Sequence, residues 1–150
     1  MASLNEEPKS ARIEVDGENV VVLGGLFPVH SKGPSEEDRC GPMLLEKGIQ
    51  RLEAMLYAID QINNNTNYWN FKMGATILDT CSSDSYALEQ SLQFLHYSCG
   101  PNANISRKVT AVVGAANSVV SASVANIFRL FQIPQVSYAS TSEELDEIYK

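Results

Sequence analysis

The chain has 150 residues, 44% of them hydrophobic, and a formal net charge of −7. That length supports one domain with a real core, and the acidic balance excludes general nucleic-acid binding, because no basic face is available to neutralise phosphates. No apolar run reaches the roughly 18 residues that a membrane-spanning helix needs; the longest candidate, residues 20–29, is interrupted by Gly24, Gly25 and Pro28.

Residues 1–12 are polar and expected to be disordered, and residues 1–8 carry neither the basic start nor the apolar stretch of a signal peptide. Asp16-Gly17 between β-branched runs predicts a tight reversal, pairing a short edge strand with the first main strand. Val20–Phe27 lacks alternation, as a parallel strand buried on both faces does, and Pro28 closes it. Residues 31–38 read as a polar loop that ends at Cys40. Over residues 47–62, Ile49, Leu52, Met55, Leu56, Ile59 and Ile62 recur at spacings of three and four, which predicts an amphipathic helix of about four turns. The Asn-rich residues 63–67 stop it, since their side chains compete with the helical backbone. Residues 75–79 follow as a second strand and 85–97 as a second helix, with Leu88, Leu92 and Leu95 on one stripe. A third strand (109–114), a third helix (119–131) and a fourth strand (133–138) complete the pattern, and the last residues begin another turn or helix.

Strict alternation of strand and helix implies right-handed crossovers and an α/β fold, a parallel sheet with helices on both faces. Ligands of such sheets bind beyond the carboxyl ends of the strands, beside helix N-termini. Those positions are residues 28–30, 79–81, 115–118 and 139–142, where Ser118 and Thr141 offer hydroxyls. Lys47 and Arg51 stand four residues apart at the opening of the first helix, where the macrodipole disfavours cations. An arriving anion would compensate for that placement, and the Arg51 fork suits a carboxylate. The competing reading is a pair of solvated charges on an outer face. Ser118 is also a candidate N-cap before Val119.

His30 and His96 read as surface or packing residues, and Asp79 and Asp84 as cap residues of the second helix rather than a metal site. No phosphate-binding loop, dinucleotide glycine fingerprint or nucleophile elbow is present, so neither enzyme chemistry nor a cofactor or metal is expected. Cys40, Cys81 and Cys99 fit one intrachain disulfide plus a thiol for another chain, or three reduced cysteines. Asn64-Asn65-Thr66 and Asn104-Ile105-Ser106 are glycosylation sequons, with Asn64 and Asn104 as acceptors.

Several ordered blocks carry a family resemblance across residues 20–150. They are Leu26-Phe27-Pro28-Val29-His30, Cys40-Gly41, Gly48-Ile49-Gln50-Arg51-Leu52-Glu53-Ala54-Met55 and Leu78-Asp79-Thr80-Cys81. Further on come Ala87-Leu88-Glu89-Gln90, Val124-Ala125-Asn126 and Leu130-Phe131-Gln132-Ile133-Pro134-Gln135-Val136-Ser137-Tyr138-Ala139-Ser140-Thr141-Ser142. Together they resemble the amino-terminal part of the ligand-binding domain of metabotropic glutamate receptors, class C G-protein-coupled receptors with a two-lobed, periplasmic-binding-protein-like (type I) clamshell.

The resemblance implies that Lys47 and Arg51 engage the distal carboxylate of L-glutamate or a similar acidic amino acid. Ser118, the backbone of Ala139, and Thr141 would hold its carboxylate and amino group. It implies a Cys40–Cys81 disulfide, an intersubunit disulfide at Cys99, and a first-lobe homodimer or heterodimer interface through Leu88, Leu92, Ile127, Leu130 and Phe131. In the full-length family member this region lies outside the cell at the plasma membrane, and G-protein coupling belongs to the transmembrane part. The calcium-sensing relatives, a second possibility, lack counterparts of Arg51 and Thr141. On this reading residues 13–150 are part of a first lobe only, expected to bind glutamate weakly and not to signal. A truncated module that pairs with full-length subunits is the alternative function.

Overall fold

The computed structural model describes residues 11–13, 19–65, 69–99 and 108–141, with side chains in 19–65, 69–96 and 108–141. The strand Val20–Phe27 (β2) is central in a five-stranded sheet. It is flanked by Lys72–Asp79 (β5) and Val109–Val113 (β6). Ala11–Ile13 (β1) lies beyond β5, and Gln135–Val136 (β7) beyond β6. β2 runs parallel to both neighbours, with Val20 opposite Lys72 and Phe27 opposite Asp79. A strand paired on both edges and covered on both faces has no solvent side, which is why its sequence does not alternate.

Side-chain parity divides the core into two layers. Phe27, Ala75 and Ile77 point to one face, where Met55 and Ile59 of the helix Gln50–Asn64 (α1) cover them. Leu26, Leu78 and Val112 point to the other. There they meet Phe94 of Asp84–Cys99 (α2) and Val124 and Phe128 of Ser118–Leu130 (α3). Phe94 and Phe128 are buried with ring centroids 6.2 Å apart; each contributes about 1.5–3 kcal/mol through apolar area removed from water.

The expected α/β architecture is therefore present, with several local differences. The edge strand begins at Ala11, inside the stretch expected to be disordered, and pairs antiparallel with β5 rather than with β2. Asp16, Gly17 and residues 1–10 lie outside the described residues. The expected polar loop contains a hairpin, His30–Lys32 (β3) against Cys40–Met43 (β4). Its sequence signal is weak because Gly41 and Pro42 occupy β4. The first helix opens with a π-helical turn, Leu45–Ile49, and runs on to Asn64. Asn63 continues the helix because its amide engages the Met73 backbone in both directions, at 2.7 and 2.8 Å. The fourth strand is limited to two residues.

Candidate functional site

Four segments meet beyond the carboxyl ends of the parallel strands. The chain crosses from β2 to β5 on one side, then passes back over to β6 on the other. The crevice between β2 and β6 is therefore the topological switch point, where open α/β sheets bind ligands. The first wall is set by Gly48. A Cβ there would lie 2.2 Å from the Pro28 carbonyl oxygen, so only glycine lets the π-helical turn close against the end of β2. Lys47 and Arg51 are thereby brought over the strand's end.

A second wall follows β6. Gly114 adopts φ +118°, a left-handed conformation suited to glycine. Residues 115–117 then lead into α3. Asn117, not Ser118, caps that helix, because its Oδ1 accepts from Val119 N at 2.9 Å. Ser118 is the first helical residue, and its Oγ accepts from Thr141 N at 3.2 Å. The third wall is Thr80 and Ser82, held by Thr80 N donating to the Phe27 carbonyl at 2.9 Å. Ala139, after β7, closes the fourth side.

These walls enclose a cavity of about 380 Å³ lined by Pro28, Leu44, Lys47, Arg51, Thr80, Ser82, Ala115, Ala116, Asn117, Val120 and Ala139. Among the described residues no carboxylate lines it. Among the described residues the ion pairs are His30–Asp79 and Arg39–Glu89, and neither involves Lys47 or Arg51. The two cations thus share one cavity with Ala139, while Ser118 and Thr141 pair with each other beside it. Arg51 also lies over the ring of Tyr138, with its guanidinium carbon 5.3 Å from the centroid. Burial pushes the Tyr138 phenol up, and the nearby charge of Arg51 opposes that rise.

Two supports of this site are not evident in the sequence. Asp79 is a strap rather than a helix cap. Its Oδ1 accepts from the backbone N–H groups of Val29 (3.0 Å), His30 (3.3 Å) and Cys81 (2.8 Å), while Oδ2 lies 2.5 Å from His30 Nδ1. Cys40 and Cys81 form the disulfide that the resemblance implied, with Cα atoms 5.0 Å apart. Although His30, Asp79 and Cys81 cluster closely enough for a metal, the Cys81 sulfur is committed to the disulfide and is no thiolate ligand. The second support is a serine cluster. Ser121 Oγ and Ser137 Oγ both reach the Ala115 carbonyl, at 3.0 and 2.8 Å, and Ser140 Oγ lies 2.6 Å from Ser121. Ser121, fully buried on the core side of α3, is the visible signal for it.

The remaining candidates are dispersed. Leu88 and Ile127 are half-buried against the core, whereas Leu92, Leu130 and Phe131 are exposed. His96 is exposed near the end of α2 and Asp84 begins that helix. Asn64, the last residue of α1, is exposed; Asn104 and the Cys99 side chain lie outside the described residues.

A parallel sheet covered on both faces, with a cation-bearing crevice at its switch point, defines a periplasmic-binding-protein-like ligand-binding fold. The family model for the receptor family ligand binding region matches residues 50–150, and the chain belongs to that family. It is 51% identical over 149 residues to metabotropic glutamate receptor 8 of Homo sapiens, covering 90% of this chain and 16% of the relative. Metabotropic glutamate receptor 4 of Rattus norvegicus is 49% identical over 154 aligned positions, 93% of this chain and 17% of the relative. Receptor 8 of Mus musculus is 50% identical over 149 residues. The resemblance to metabotropic glutamate receptors is thus borne out. The chain spans about a sixth of the length of these relatives. Among the described residues no helix is long and apolar enough to cross a membrane.

Proposed function

We propose that the crevice binds the amino acid L-glutamate or a close acidic analogue, as part of the extracellular ligand-binding domain of a metabotropic glutamate receptor. The observation that carries this is the cavity that Lys47 and Arg51 share with no carboxylate among its described lining residues. Two cations with no carboxylate partner among the described residues are poised to receive a distal carboxylate, Arg51 as a planar fork and Lys47 as a point charge. Ser118, the Ala139 backbone and Thr141 hold the α-carboxylate and amino group at the opposite end, beside the start of α3, where orphan N–H groups favour an anion. The presence of Arg51 and Thr141 weighs against a calcium-sensing specificity. G-protein signalling at the plasma membrane is the function of the longer protein under this proposal.

Ligand-observed NMR on the 150-residue chain tests it. L-glutamate should give saturation transfer that L-alanine does not match, and the Lys47→Ala/Arg51→Ala double variant should abolish the difference. Equal signals from both amino acids in the unaltered chain would reject the assignment. Affinity in the micromolar range for this chain alone would contradict the expectation that these contacts hold glutamate only weakly.

A second reading concerns partners. Leu92 on α2, Leu130 at the end of α3 and Phe131 just beyond it are exposed, which favours pairing with another receptor subunit through that face, with Cys99 as the linking thiol. Co-expression with a full-length receptor followed by non-reducing electrophoresis checks this. A covalent heterodimer that disappears in Cys99→Ser supports it, and a band unaffected by that substitution refutes the thiol's role.

A further inference from the structure

Arg51 stands on a partition. On one side is the cation-lined cavity, and on the other an apolar hollow of about 460 Å³ walled by Leu23, Phe27, Met55, Ile59 and Tyr138. A long side chain at such a boundary has rotamers that lead into either space, so something must choose between them. We propose that Tyr138 is the positioning residue that holds the Arg51 guanidinium at the ligand cavity and so sets selectivity for amino acids with a distal carboxylate. This rests on the glutamate reading of that cavity.

Three observations support it. The guanidinium carbon is 5.3 Å from the Tyr138 ring centroid, inside the roughly 6 Å range of a cation–π contact. The charge of Arg51 also acts on the phenol, opposing the rise that burial gives it, so the guanidinium lies near the hydroxyl as well as the ring. Tyr138 is itself braced: its ring stacks on Phe27, with centroids 5.8 Å apart and planes 18° from parallel, and Phe27 is buried in the sheet core. A chain of contacts therefore runs from the core through an aromatic pair to the guanidinium. The choice of an aromatic is chemically specific. A carboxylate would hold Arg51 as firmly but neutralise it, whereas a neutral ring orients the fork and leaves its charge for the ligand.

The test compares Tyr138→Phe, which keeps ring and stacking, with Tyr138→Leu, which removes both. The Arg51 Nε–Hε resonance should be moved upfield by the ring current in the unaltered chain and in Tyr138→Phe, and should return to its ordinary position in Tyr138→Leu. Glutamate affinity from ligand-observed titration should fall about 2–5-fold in Tyr138→Leu, the size expected for an exposed cation–π contact. Tyr138→Leu should add no further loss in an Arg51→Ala background. An unshifted Arg51 resonance in the unaltered chain overturns the proposal even if Tyr138→Leu does not fold. An equal further loss in the Arg51→Ala background does so as well. If Arg51→Ala removes the preference for glutamate over alanine but Tyr138→Leu leaves it undiminished, the positioning role fails while the glutamate site stands. If the unaltered chain has no such preference, both fail.

Discussion

Replacing Asp79 with alanine removes one carboxylate and unties three backbone segments. In the folded chain Oδ1 gathers N–H groups from Val29, His30 and Cys81, and Oδ2 meets His30 Nδ1. A net hydrogen bond contributes about 0.5–1.5 kcal/mol, and more when the acceptor is charged. The Asp79 side chain is 18% exposed and that of His30 34%, so water replaces part of what is lost, most readily at the histidine. Three backbone bonds at about 1 kcal/mol each, with little added for the half-exposed imidazole, give a cost of about 3 kcal/mol. Asp79→Asn keeps an acceptor oxygen for the same three donors and loses only the charge, so its cost should be about 1 kcal/mol. Urea denaturation with the disulfide intact measures both, as a shift in midpoint at constant slope. The alanine variant should also weaken glutamate binding, since Pro28, Thr80 and Ser82 line the cavity from the strands that Asp79 joins. A cost below 1 kcal/mol for alanine, or an asparagine variant as destabilised as the alanine one, would refute the strap.

Arg51→Ala should cost more glutamate affinity than Lys47→Ala, because a two-pronged contact is lost rather than a single one; equal or reversed losses in the same titration would count against those roles. Cys40→Ser/Cys81→Ser opens a loop whose ends are 41 residues apart, for which the chain-entropy relation gives up to about 4 kcal/mol of lost stability, read from the urea midpoint. Ser121→Ala should cost about 1 kcal/mol, since Ser137 still donates to the Ala115 carbonyl. Adding Ser137→Ala should cost more than the sum of the single changes, as expected where two groups share one acceptor. Burial raises the Tyr86 and Tyr138 phenols above 10.0, their ordinary value. The folded state therefore binds these protons more tightly than the unfolded chain. This contribution is fully present below pH 10 and is lost as pH rises through the raised folded values. Stability measured against pH should fall less steeply over that window in Tyr86→Phe/Tyr138→Phe.

The fold was legible in the sequence where burial is two-sided and periodic. β2 carries a continuous apolar run because both its faces are covered, and α1 shows its stripe because only Met55, Ile59 and their neighbours need to reach the sheet. Elements held by something other than apolar burial were not legible. The β3–β4 hairpin has little apolar surface and is fixed by the disulfide, Asp79 and the Ser82 hydroxyl, which donates to the His30 carbonyl. Asn63 reads as a helix stop until the Met73 backbone becomes its partner. The cap of α3 moved by one residue for a similar reason: Asn117 and Ser118 are both good caps, and only the position of Thr141 gives the serine a different acceptor role.

The same distinction explains why the cations could be singled out while their setting could not. Lys47 and Arg51 are conspicuous because cations at a helix start oppose its dipole. The structure leaves that conflict for Lys47, in the π-helical turn where the helix opens, and lessens it for Arg51, which lies a turn further in, past a Gln50 N–H already bonded to the Leu45 carbonyl. What the chain obtains from the placement is convergence. The opening turn of the first helix and the start of α3 both border the crevice, and two cations are added at the first of them alone. An anionic group can thus be accommodated at each helix start, but the stronger field lies at α1. A molecule with carboxylates at both ends matches this asymmetry better than one with a single carboxylate, whose lone charge would be drawn to the cations and leave the Ser118–Thr141 end without an anion. Under the proposed glutamate reading, the crevice should select for chain length as well as charge, because the two anionic ends must reach both helix starts at once.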